Sequence, residues 1–582
     1  MASNPSQNAT NSSASKSPTF LGHPRGLVIL FLTEMWERFS YYGMRALLII
    51  YLTQHFLFSD EKSSLIYGAY TALVYVMTII GGSLADRYLG ARKAVTFGAI
   101  LLTLGHFGMA FEGNGSSQYL TFEGQSYEIK LDGRGGDARQ QILHKGEASY
   151  INFGRELITI EDDSFAEIAN LPKAMPSDEV TTSVTQEDTY VFILYLSLAL
   201  LIAGVGFLKA NISTIVGSLY GFGDVRRDSG FTIFYMGINL GAFSASILCG
   251  YLGIAHGWKY GFGLAGFGMM IGLLIFLYGQ KWLEGRAEPP DPIMLKEKVF
   301  AGLNREWLCY LAGIGIIIIS LLLVMNEDIV GTLLLPIGIA MFAFFIYFAF
   351  YQCKGDERSR MLAALYFVLA QIPFWALFEQ AGSSLNLFTT RLVEREIFGF
   401  SIPGPVFQSL NAGYIFIFAP LVAWLWIWLA KRNLNPSSPV KFSIGVAFAG
   451  LGFLSLVAGI NSSGPEALTP VIFIFLIYWI HTMGELLVSP VGLSVVTKLA
   501  PARIVGMTMG AWFLYSGLSN YLAGVIARTT GAETIGGQIV DVAAAKAGYI
   551  AVYSKVGYTA LGIALFMLIV SPLVKQAMRG AE

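Results

Sequence analysis

Apolar runs of about twenty residues, each closed by a short polar turn, recur from one end of the chain to the other, and that is the length a helix needs to cross a hydrocarbon layer. Six come first, at residues 26–52, 64–84, 94–111, 190–217, 231–252 and 260–278. Two follow at 307–325 and 331–351, and six more occupy 361–388, 407–430, 442–460, 469–496, 505–527 and 549–574. The pattern predicts an all-α polytopic membrane protein of fourteen spans, grouped six, two, six. Residues 20–284 should form an N-terminal six-helix bundle, 285–360 a linker with two extra transmembrane helices, and 361–582 a C-terminal six-helix bundle. Residues 1–19 are rich in Ser and Asn without an apolar core, and read as a disordered cytoplasmic tail rather than a signal peptide.

One stretch breaks the pattern. Residues 112–188 are polar, with 15 acidic against 6 basic side chains. Alternation in SYEIKL at 126–131, a glycine-rich turn at 133–136, and β-prone residues at Ile151 and 157–160 suggest a small sheet. Lys and Arg in the short loops and tails fall about 22 to one side of the spans and about six to the other, so both termini are expected in the cytoplasm. The polar insertion then lies outside, as a periplasmic or extracellular excursion. Joining only the third and fourth spans, it is expected to be dispensable for the function of the helices.

Composition narrows the class. With 54% hydrophobic and 13% charged residues among 582, the chain is too apolar to be a soluble protein. A formal charge of −1 and no basic stripe argue against a nucleic-acid partner. Cys249, Cys309 and Cys353 stand singly in or at the ends of apolar runs, which predicts neither disulfide nor metal site. GFGLAG at 261–266 has the spacing of a dinucleotide loop but opens a membrane span, so helix packing is expected there and no cofactor.

The charge that remains is concentrated inside the first span. TEMWERFSYYGMR at 33–45 places Glu34, Glu37, Arg38, Tyr41 and Arg45 within an arc of roughly 100°, with Trp36, Phe39 and Gly43 opposite. A charge at the bilayer centre costs roughly 2.5 to 3.5 kcal/mol even on lenient scales, so four on one face must line a watery cavity or pair within the protein. Two Glu and two Arg make a neutral cluster whose balance one proton or one charged ligand would change. Further along, a rise of about 1.5 Å per residue puts Arg45 and Glu379 in the outer half of their spans, and Lys209 and Glu485 at or below the middle. Each pair joins one half of the chain to the other, which predicts an outer gate, Arg45 with Glu379, and an inner gate, Lys209 with Glu485. His481, one turn from Glu485, is expected to be a hydrogen-bonded structural residue.

GGSLADRYLGARK at 81–93 resembles the loop signature of the major facilitator superfamily, whose paired halves enclose a site near mid-membrane. Within it, E-x-x-E-R-F-x-Y-Y-G at 34–43 is similar to the signature of proton-dependent oligopeptide transporters, as are GFLKANIS at 206–213, FWALFEQ at 374–380, and GELLVSP at 484–490 followed by TKLAP at 497–501. The resemblance covers the twelve core spans and the extra pair, but not the insertion. It implies a major facilitator fold and a proton-coupled symporter importing di- and tripeptides, in a functional monomer of the bacterial inner membrane. It further implies Arg38, Lys209 and Glu485 as binders of the peptide termini, Tyr42, Tyr75, Trp375 and Trp512 as pocket walls, and Asn239 and Asn411 as polar contacts. Mammalian members carry a titratable histidine on the second span where this chain, aligned through Tyr75, has Gly68. The coupling proton therefore needs another site, with Glu34 and Glu37 leading and Glu379 second. A small-anion transporter on the same scaffold is the alternative cargo, and Glu485 argues against it because an anion offers no ammonium to that carboxylate. A membrane hydrolase lacks its H-E-x-x-H or G-x-S-x-G, and paired opposite charges do not make a channel's one-sign ring.

Overall fold

The computed structural model describes residues 19–221 and 224–580; the expected tail, Thr19 apart, lies outside them. The helices are α1 Gly26–Gln54, α2 Asp60–Leu84, α3 Gly90–Met109, α4 Asp188–Ser218, α5 Arg227–Ala255, α6 Trp258–Gly279 and α7 Arg305–Met325. They continue as α8 Glu327–Tyr347, α9 Asp356–Phe378, α10 Ser409–Ala430, α11 Ser438–Ser462, α12 Ile472–Leu499, α13 Val505–Arg528 and α14 Val542–Ala577. Among the described residues, eleven helical runs are long and apolar enough to cross a membrane by length and composition alone. The charged α1 and the Gly-, Ser- and Asn-bearing α13 are not among them, and α2 with α3 count as one run of 50 residues. Taken separately, these make the fourteen that the hydropathy pattern predicts.

What joins α2 to α3 is a π turn, Ala85–Leu89, within the GGSLADRYLGARK stretch. Gly90 follows at φ 72°, a backbone conformation open to glycine. Any Cβ there would meet the backbone of Glu288 and Pro289 within 2.7 Å. Arg92 pairs with Glu288 at 2.7 Å and Lys93 with Glu306 at 2.5 Å, so this loop is pinned to the segment leading into α7. The glycines of GFGLAG lie inside α6, where Gly261 faces Leu47 and Gly253, and Gly266 faces Phe107. These two serve close helix contact, as expected, while a Cβ at Gly263 would meet nothing within 4 Å.

Buried apolar side chains form two main clusters, one drawing mostly on α1–α7 and the other mostly on α9–α14. Of the extra pair, α7 faces Phe97 and Phe207 through Gly313, while the Tyr515 hydroxyl of α13 donates to the Gly338 carbonyl of α8 at 2.8 Å. Their other faces expose Ile314, Ile318, Leu335 and Ile339, as lipid-facing helices do.

One expected span is not a single helix. Residues 361–388 are broken after Phe378 by a 3₁₀ turn, Glu379–Gly382, and Ser383 at φ −121° and ψ −102°, before a short helix, Ser384–Leu392, resumes. Irregular backbone at this depth requires side chains to satisfy the freed groups, and the sequence EQAGSS supplies them. Gln380 donates to Ala376 O at 3.1 Å and to Ala523 O of α13 at 2.9 Å, and accepts from the Ser384 hydroxyl at 2.6 Å.

The insertion is a seven-stranded sheet. Its strands are β1 Ser117–Phe122, β2 Gln125–Asp132, β3 Arg139–His144, β4 Glu147–Phe153, β5 Leu157–Ile160, β6 Ala174–Pro176 and β7 Thr181–Thr185, in the order β6-β5-β4-β3-β2-β1-β7, with every pair antiparallel. Alternation buries Leu120, Phe122, Tyr127, Ile129, Ile142 and Ile151 on one face, against Phe165 and Ala169 of a short helix, Asp163–Ala169. The sheet sits over the end of the bundle where α1 ends and α2 begins, and that end is called the sheet end below.

Candidate functional site

The α1 segment at 33–45 folds as its pattern requires. Its apolar face meets α5 and α6, with Trp36 and Phe39 edge to face at 5.3 Å against Gly268, and Gly43 against Cys249. The ionisable face points inward. Arg38 Nε lies 3.0 Å from Glu34 Oε1 and 2.5 Å from Glu37 Oε2, with all three side chains at most 6% exposed. Three charged groups on adjacent turns of one helix cannot align well. The contacts are ion pairs without hydrogen-bond geometry, and Arg38 Nη2 and both Glu37 oxygens are buried without a hydrogen-bond partner. Such groups are costly unless something else completes them.

Two turns further on, Arg45 pairs with Glu379 and donates from Nε to the Tyr67 hydroxyl. The break after Phe378 makes this possible, because it places Glu379 at the start of the 3₁₀ turn and Gly382 against Tyr67, where a Cβ would overlap the hydroxyl. A second buried pair joins the same parts of the chain. Arg391 Nη1 donates to Asp60 Oδ2 at 2.7 Å, both side chains being 2% exposed, and the Ala532 amide adds a contact at 3.3 Å. Neither residue stands out in the sequence. Asp60 follows the capping Ser59 and reads as an ordinary helix-start acid, and Arg391 reads as an interfacial residue; the available signal was a basic residue on the side where basic residues are few.

Glu485, on α12, accepts from Asn411 Nδ2 of α10 at 2.8 Å, and the same amide reaches Thr482 Oγ1 at 3.1 Å. Lys209, on α4, lies over the Tyr75 ring with Nζ 3.9 Å from its centroid. Among the described residues neither Lys209 nor Glu485 forms an ion pair, so the pair expected as an inner gate is apart in this structure, while Arg45 and Glu379, the pair expected as an outer gate, are joined. Tyr42 stands between the groups, edge to face with Tyr41 at 5.3 Å and with Arg45 Cζ 5.9 Å from its ring. Trp375 is half-buried, edge to face with Phe374 and Phe378 at 5.2 and 5.4 Å. Trp512 is 5% exposed and its ring edge meets Gly492. Asn239 donates to Tyr235 O, one turn back on α5, at 3.1 Å. His481 bonds to the Ala449 carbonyl at 3.0 Å, the structural role expected of it.

The helices α2 and α13, one from each half of the chain, form a seam whose width changes along its length. A Cβ at Gly524 would lie 2.8 Å from Gly68 Cα, and one at Gly517 3.0 Å from Ala72 O. At Gly510 the nearest atom, in Ile79, is 4.0 Å away, and at Gly506 nothing lies within 4 Å. The seam is shut toward the sheet and splayed toward the opposite end. It also explains Gly68: no side chain fits where two backbones touch, so a titratable residue there is excluded.

A model of the POT family matches residues 92–542. The chain belongs to that family. It is 34% identical over 577 residues to the uncharacterized transporter YclF of Bacillus subtilis, with 96% of each chain covered. It is 33% identical over 538 residues to the peptide transporter YePEPT of Yersinia enterocolitica, covering 89% of this chain and 90% of that one. A crystal structure of the peptide transporter POT in complex with sulfate matches with a TM-score of 0.72 at 31% identity, covering 97% of this chain and 98% of that one. A POT family transporter in complex with 5-aminolevulinic acid matches with a TM-score of 0.71 at 28% identity, over 96% and 98%. This POT-family chain is a multi-pass membrane transporter, not an enzyme.

Proposed function

We propose that the chain is a proton-coupled symporter importing di- and tripeptides by alternating access, in which two six-helix bundles, residues 20–284 and 361–582, rock about a central site and residues 285–360 tether them. The carrying observation is the seam, shut at the sheet end by Arg45 with Glu379 and by Gly68 against Gly524, and splayed at the other end. It supports an outer-closed, inner-open state, with both termini cytoplasmic, the sheet periplasmic, and the chain a monomer in the bacterial inner membrane.

The substrate class follows from buried charges whose hydrogen-bond or ionic partners are incomplete. A short peptide presents an ammonium and a carboxylate separated by a few residues at about 3.5 Å each. Glu485, steadied by Asn411, suits the ammonium; Arg38, with a buried unpartnered Nη2, and Lys209 suit the carboxylate. Tyr42, Tyr75 and Trp375 leave room for varied side chains, and Trp512 and Asn239 back the wall. The related transporter that holds 5-aminolevulinic acid carries the same pairing of amine and carboxylate on a short chain. Glu34 and Glu37, with Glu379 second, are the proton sites, because a ligand that draws Arg38 away leaves a carboxylate more ready to take a proton.

The test is uptake of labelled dialanine into proteoliposomes. Accumulation above the external concentration is expected only with an inward proton gradient, unaffected by excess nitrate. Equal uptake without the gradient, or competition by nitrate, would overturn the reading.

A further inference from the structure

We infer that the glycine-rich turn of the sheet, residues 133–137, is a latch that holds the sheet end of the seam shut and must be withdrawn in each transport cycle. The inference rests on the alternating-access reading and assigns the insertion a part in it.

The turn touches both halves of the molecule. Toward the N-terminal half, the Gln54 side chain at the end of α1 bonds Gly135 twice, donating to its carbonyl at 2.9 Å and accepting from its amide at 2.8 Å. Toward the C-terminal half, Asp137 accepts from Arg395 Nη2 at 2.8 Å and from the Ser401 hydroxyl at 2.9 Å, and Gln538 donates to the Gly135 carbonyl at 3.2 Å. The chain conformation that allows this is glycine's. Gly135 sits at φ 70°, and a Cβ on Gly136 would overlap the Thr390 carbonyl and the Arg395 guanidinium. The body of the sheet repeats the arrangement, since Gln118 and Gln140 bond the backbone of Gly536 and Ile535 in the hairpin between α13 and α14.

The attachments differ in kind. The insertion is covalently continuous with α3 and α4, and Ser116 and Gln186 bond the backbone just beyond α1, each to Phe56 O at 2.9 Å. The sheet therefore rides with the N-terminal half. Its contacts with Thr390, Arg395, Ser401 and the hairpin cross the seam, and an outward opening separates them. Replacing the insertion with a Gly/Ser linker should then leave peptide affinity intact, as the sequence suggests, while shifting the balance of states outward.

Two cysteine pairs, in a protein whose three native cysteines are replaced by Ala, test the latch. Asp137→Cys with Arg395→Cys bridges turn and C-terminal half; Gln54→Cys with Arg134→Cys, both on the wall of one cavity of about 310 Å³, bridges turn and α1. A cleavable thiol-specific cross-linker should cut dialanine uptake at least tenfold in the first pair, with recovery on reduction, and change it less than twofold in the second. Full bridging of the first pair with undiminished uptake overturns the latch. A readout independent of cargo uses spin labels at Lys62→Cys and Glu466→Cys, exposed at the sheet end on opposite halves. Gly136→Val should raise the longer-distance population at least threefold, and Asp137→Ala should raise it less. Unchanged distances in both variants overturn the latch, whereas lengthened distances in a protein that takes up no dialanine uphold it and sink only the peptide reading.

Discussion

At the sheet end of the seam Arg45 touches Glu379, Asp60 touches Arg391 and Gly68 meets Gly524 backbone to backbone; toward the other end, among the described residues, Lys209 and Glu485 make no ion pair and nothing lies within 4 Å of a Cβ at Gly506. The residue types are alike at the two ends, Arg or Lys from one half and Asp or Glu from the other. What differs is engagement. Opposite charges placed on separate halves stabilise whichever end is shut, and each pair costs desolvation when it parts unless water or a ligand replaces the partner. On the proposed reading the cargo replaces it at the splayed end, where Lys209 and Glu485 make no ion pair among the described residues.

The largest expected effect comes from breaking the shut end. Removing one partner of a buried pair costs about 3–5 kcal/mol, and each 1.4 kcal/mol is tenfold in an equilibrium. Glu379→Gln should therefore shift the closed-to-open balance at the sheet end by about a hundred- to a few thousandfold, read as the labelling rate of a cysteine placed in the seam. Asp60→Asn should act in the same direction. Labelling that stays at the wild-type rate in both variants would mean that these pairs are not what shuts the seam. Next in size is Glu485→Ala at the open end. A charge-assisted hydrogen bond contributes about 1.5–3 kcal/mol, so dialanine affinity should fall between ten- and a hundredfold, measured by calorimetric titration. An undiminished affinity would make the Asn411–Glu485 contact structural only.

Between the two ends lies the α1 cluster, and its test separates coupling from gating. By linkage, if peptide binding promotes protonation, protonation promotes peptide binding equally. Glu37→Gln should lose the roughly tenfold accumulation that one proton yields per pH unit, since a pH unit is about 1.36 kcal/mol. It should keep exchange between preloaded and external peptide, where no net proton moves. Partial accumulation could survive through Glu379, which can exchange Arg45 for a proton. A variant that still concentrates peptide at the wild-type rate and with the wild-type steepness in pH would place the proton path elsewhere.

The helices and the charged face of α1 were legible in the sequence because both follow from the cost of burying polar groups in hydrocarbon, which leaves a mark on residue order. The sheet was legible in part: alternation at 126–131 marks β2, whereas β1, SQYLTF, breaks the alternation by setting Tyr119 beside Leu120, and β7, TTSVT, carries a single larger apolar residue. The break at Glu379–Gly382 shows in hydropathy only as the short polar run EQAGSS, which a continuous helix lining a polar cleft would show equally. Asp60 with Arg391 was hidden for another reason. Each has a commonplace local explanation, and their meeting depends on two helices far apart in sequence. The contacts of the turn at 133–137 with Thr390, Arg395 and Ser401 are long-range in the same way, so the insertion read as dispensable until the fold placed it over the seam.

The smallest expected effect is the most direct check on the asymmetry. If the two gates were equally engaged in the resting protein, Lys209→Ala would expose the end opposite the sheet as strongly as Glu379→Gln exposes the sheet end. Among the described residues Lys209 makes no close ion pair and lies over the Tyr75 ring at 3.9 Å, a contact worth about 0.5–2 kcal/mol. The gate it would form with Glu485 belongs to the opposite state, which is already the less populated one if the shut sheet end is the resting form. Lys209→Ala can then add only to the fraction that is closed at its end. Labelling of a cysteine near Gly506 should rise no more than two- to threefold without a proton gradient, and more when Glu379→Gln is combined with it, because the double variant first populates the state in which the inner gate matters. A single Lys209→Ala that raised labelling there as much as Glu379→Gln does at the sheet end would show that both gates are engaged at rest, and the structure described here would then be a minor state.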